Sequence, residues 1–69
     1  MPHKPAPTPQ ELGDALAVIA MGGDAQDLAC ACRISAGDFD GEGRRRLLRA
    51  AAALDAAAAI HTAMVAGLD

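Results

Sequence analysis

Aromatic residues are almost missing from this chain: there is no Trp, no Tyr and a single Phe, Phe39. Each aromatic side chain would bring roughly 150–250 Å² to a core. Without them the interior has to be built from Leu, Ile, Val, Met and a great deal of Ala, and it is thin. Phe39, the exception, is expected to plug the bottom of that core. Cysteine is scarce too. Two cysteines, Cys30 and Cys32, are too few for the disulfide framework of a small secreted domain. On a helix, side chains two positions apart point about 200° away from each other, so this pair cannot share a metal. No second pair exists, and His3 and His61 have no ligand spacing with them. Cys32 is expected as a small core residue and Cys30 as a surface thiol. No metal and no cofactor is implied.

Positive charge is also in short supply. Six Lys and Arg face nine Asp and Glu, a net charge of −3. That argues against generic nucleic-acid binding, which draws on phosphate neutralisation. No unbroken apolar run, Ala56 to Ile60 included, approaches the ~20 residues that span a bilayer. The Pro-rich start, MPHKPAP, lacks the apolar stretch of a secretory leader. A cytoplasmic location without membrane attachment is the expectation.

What is abundant is helix-forming sequence. The stretch Arg44 to Ala66 holds no Gly and no Pro and consists mostly of Ala, Leu and Arg, the strongest helix formers. One seam runs Leu47, Ala51, Leu54, Ala58, His61, Val65, Leu68 in alternating steps of four and three, the heptad rhythm of a helix packed on helices. A second seam, Ala50, Ala53, Ala57, Ile60, Met64, lies beside it. Ahead of this stretch, Thr8-Pro9-Gln10-Glu11 is a start signal: Thr8 caps, Pro9 suits the first helical position and Glu11 completes a capping box. That helix is expected from Pro9 to about Met21, stopped by Gly22-Gly23. Asp24 caps a second helix, Ala25 to about Ser35, whose inner face is Ala25, Leu28, Ala29 and Cys32. Asp38 or Asp40 is expected to cap the third.

The expected fold is therefore all-α. Residues 1–8 form a flexible Pro-rich arm and residues 9–69 a single domain. Two short helices pack on one long helix, and a chain of 69 residues with so thin a core is expected to complete it by homodimerisation. Leu47, Leu54, Ala58, His61 and Val65 are the candidate core or dimer seam.

Functional signals are weak. Asp38-Phe39-Asp40-Gly41 begins like a calcium loop, but the Glu required at the twelfth position is missing and the chain enters Arg44-Arg45-Arg46 instead. A lone His61 without a nearby nucleophile or paired carboxylate makes no catalytic constellation. The glycine pairs do not match a phosphate loop. The order helix, Gly-Gly, helix resembles a helix-turn-helix, yet its second helix starts with Asp24 and Asp27, which phosphates repel. The charged residues that stand out are Arg44, Arg45, Arg46 and Arg49, crowded at the start of the long helix where the helix dipole disfavours cations. They are candidates for contact with a partner protein's acidic surface, or for pairing inside the fold with Asp14 or Asp27. The resulting expectation is a non-enzymatic interaction module, a helical homodimer that binds and modulates, or inhibits, another protein. The Ala-rich composition fits a gene of a GC-rich bacterium, its phage or another mobile element. The alternative is a small DNA-binding transcriptional regulator using the Arg44–Arg49 cluster.

Overall fold

The computed structural model describes residues 6–67, and these are all-helical, with three helices and no strand. The expected arm falls mostly on residues 1–5, outside the described residues, and so does Leu68 of the seam.

Helix α1 spans Pro9–Ala20. The Thr8 hydroxyl accepts from the Glu11 amide at 3.2 Å, and the Thr8 amide donates to Glu11 Oε1 at 2.9 Å, so the capping box forms in both directions. Gly22, at φ +92°, turns the chain out of the helix. Its amide donates to Ile19 O and that of Gly23 to Val18 O, which satisfies two of the last carbonyls. Gly23 is fixed by space. A Cβ there would sit 2.7 Å from Val18 Cγ1 and 2.9 Å from Val18 O.

Helix α2 spans Ala25–Ala36. Asp24 Oδ1 accepts from the amides of Gln26 and Asp27, closing its first turn as expected. Helix α3 spans Gly41–Gly67, beginning three residues earlier than the Arg44 start read from the sequence. Among the described residues, neither Asp38 nor Asp40 makes a side-chain cap to α3. The turn into α3 rests instead on Gly41 at φ +58°, a conformation glycine adopts without steric cost.

Both short helices lie against α3 and barely touch each other. α1 runs in the direction of α3: Glu11 near its start meets Arg49, and Ile19 near its end shares a groove with Ala58 and His61. α2 runs the opposite way, with Ala25 beside that same groove and Arg33 meeting Asp55. The buried residues are Ala15, Ala25, Ala29, Ala36, Ala51, Ala53, Leu54 and Ala57, so every one but Leu54 is Ala. Leu12, Leu16, Ile19, Cys32 and Ala58 pack around them, half-buried. Alanine lets helix axes approach closely, but each contributes little apolar area.

Two core expectations are corrected. Phe39 is 53% exposed and plugs nothing: it sits in the α2–α3 turn with its ring near the backbone of Gly43. Leu28 is exposed as well, lying at the edge by Gly23, and the inner face of α2 is Ala25, Ala29, Cys32 and Ala36. The steps of four, three and four from Ala25 hold one stripe, and Leu28 falls to its side.

At ~1.5 Å per residue, α3 is about 40 Å long while α1 and α2 are about 18 Å each. The short helices cover only its first two thirds. Every residue from 59 to 67 is exposed.

Candidate functional site

The two ends of α3 differ in chemistry. Near its start lie the four arginines, and the structure divides them. Because α3 begins at Gly41, its first turn holds Glu42 and the arginines start one turn later. The dipole acts mainly on the first turn, so it works against them less than a start at Arg44 implies. Arg49 is committed inside the fold: its Nε donates to Glu11 Oε2 at 3.0 Å and its Nη2 to Glu11 Oε1 at 2.7 Å, a two-point clamp between α3 and α1. The hydrogen bonds from Arg49, together with that from the Thr8 amide, hold the Glu11 carboxyl down from its ordinary 4.5 to about 2. The same bond raises the Arg49 pKa. Arg46 stands 3.9 Å from Glu42 with both side chains in water, a loose i,i+4 pair. Arg44 and Arg45 are exposed and have no ion pair among the described residues.

The acidic partner of Arg49 is thus Glu11 and not Asp14 or Asp27. The sequence marks Glu11 as a cap, and its second role depends on a contact 38 residues away that no local spacing shows. A second tie escapes the sequence for the same reason. Arg33 of α2 and Asp55 of α3 form a hydrogen-bonded salt bridge on the outer surface, each about half exposed.

At the other end, the candidate seam comes apart. Leu54 is buried, Leu47 and Ala58 are half-buried, and His61 and Val65 are exposed, so the last two do not belong to the core of the single chain. Along the second seam, Ala53 and Ala57 are buried, while Ile60 is 36% and Met64 62% exposed. Val65 is 51% exposed. No Asp, Glu, Lys or Arg occurs between positions 59 and 67. α3 therefore ends in an uncharged rod with three large apolar side chains in solvent.

Two open grooves flank α3. One, about 360 Å³, lies between α1 and α3 and is lined by Val18, Ala50, Ala53 and Leu54 together with Glu11 and Arg49. The other, about 450 Å³, lies at the base of the uncovered rod, between the Gly22-Gly23 turn, the start of α2, and His61 and Thr62. Among the described residues, no group of three His, Cys, Asp or Glu is placed to hold a metal ion. No side-chain hydrogen bond joins His61 to a nucleophile or carboxylate there. Cys30 is exposed and Cys32 half-buried, both as free thiols.

By length and composition α3 is long and apolar enough to cross a membrane, with a mean hydropathy of 1.4 over its best 18 residues. Alanine supplies most of that apolarity, and the packed central helix of a water-soluble bundle meets the same description. Comparison of the chain with protein-family models, with curated proteins and with solved structures finds no match.

Proposed function

We propose that this chain is a non-enzymatic interaction module: a cytoplasmic helical homodimer, joined through the uncovered end of α3, that modulates another protein. The observation that carries the reading is that uncovered end. Ile60, Met64 and Val65 lie 36–62% exposed there, on a helix end that carries no charged residue and that neither α1 nor α2 covers. The thin alanine core supports the same reading, since association supplies the burial that 69 residues lack. Arg44 and Arg45, exposed at the opposite end, supply a basic contact for an acidic protein surface, with Arg46 beside them.

Sedimentation equilibrium at micromolar concentration tests the homodimer. The expected mass is twice 7.0 kDa. A fully helical species that stays at 7.0 kDa contradicts it. The DNA-binding regulator is the weaker reading, because α2 opens with Asp24 and Asp27 and the chain carries −3 overall. A DNA mobility shift with steep salt dependence would reverse that order.

A further inference from the structure

Resting on the homodimer reading, we infer that two copies join antiparallel through the free rods of α3, about a two-fold axis passing between Thr62 and Ala63, with Ile60 of one copy on Val65 of the other and His61 on Met64. The spacing carries the argument. Ile60, His61, Met64 and Val65 span about 140° of the helix at ~100° per residue and form one face. Their positions, two adjacent, a gap of two, two adjacent, read the same in both directions. Reversing the helix about its 62–63 midpoint lays this face on itself, large residue against large residue, as an isologous interface requires.

Charge and shape agree with that direction. The rod is uncharged from 59 to 67, so two chains of net charge −3 meet through the segment that repels least. Antiparallel packing opposes the two helix dipoles and leaves the α1–α2 bodies at opposite ends, where parallel packing would align the dipoles and crowd the bodies together. In this register the second copy's last turn reaches the level of Ala58, at the 450 Å³ groove lined by Asp24, Ala25 and Gln26 of the α2 start. Ala59, Ala63 and Ala66 lie away from the paired face and stay in water. A nine-residue overlap is short beside the ~800 Å² per partner of a standard interface, so the dimer exchanges with monomer.

The test is pairwise disulfide trapping. Cys30→Ala and Cys32→Ala remove the native thiols, and His61→Cys and Met64→Cys are prepared as separate chains in that background. Mixed under mild oxidation, they should form the 61–64 cross-link about tenfold faster than either chain links to itself, because only the facing pair meets disulfide geometry. Faster 61–61 and 64–64 linking would mean parallel pairing and overturn the inference. So would a dimer by sedimentation in which no combination links, while the homodimer reading would survive. A monomer by sedimentation removes both. If the cysteine-free background loses helicity, Met64→Glu in the native chain decides: it should weaken the dimer at least about tenfold, where Arg45→Glu leaves it unchanged. An unaffected Met64→Glu dimer overturns the inference.

Discussion

At the scale of single residues, the fold depends on a few side chains with more than one task. Glu11 caps α1 and clamps α3 through Arg49. Its carboxyl titrates near 2 in the folded chain against an ordinary 4.5. A depressed pKa means that its stabilisation is fully present above about pH 4.5 and is lost as pH falls through about 2. Glu11→Gln should therefore flatten the acid limb of a melting-temperature profile between those values, and an unchanged profile would show that the clamp does not hold in solution. Arg45 and Arg49 should separate in the same way. Arg45→Glu should leave the melting temperature unchanged, since Arg45 pairs with nothing among the described residues, whereas Arg49→Glu should lower it by placing two carboxylates together. Leu54→Ala should cost roughly 2–5 kcal/mol in a denaturant titration, Leu54 being the one large side chain in a core of alanine.

At the scale of elements, the caps of α1 and α2 and the Gly22-Gly23 stop are legible in the sequence, while the start of α3 and the long-range partners are not. Thr8, Glu11 and Asp24 announce two helix starts by patterns four residues long, and both form as expected. The start of α3 was misplaced because Gly41 and Gly43, poor helix formers, are carried into the helix by the strong propensity of the residues that follow. The size of Phe39 alone suggests burial, but the turn around it holds its ring outside the core. The Asp24 cap should be worth roughly 0.5–2 kcal/mol, measured as the loss in Asp24→Ala. On α2, Cys30 should react with a thiol reagent in the native state well before Cys32, and equal rates would mean that α2 is not packed as described.

At the scale of the whole molecule, the heptad seams predicted one continuous buried surface along the long helix. The structure shows that the single chain covers it only as far as Ala58. Heptad spacing reports that a face is apolar without saying whether the cover comes from the same chain, so His61 and Val65 were legible as seam positions and illegible as exposed ones. The account holds that a second copy covers this end. Concentration-dependent amide hydrogen exchange over residues 59–67 tests that most directly. The account predicts protection of these amides at high micromolar concentration and its loss on dilution, while the amides around Leu54 stay protected. Protection that does not change with concentration, or no protection at any concentration, would contradict it.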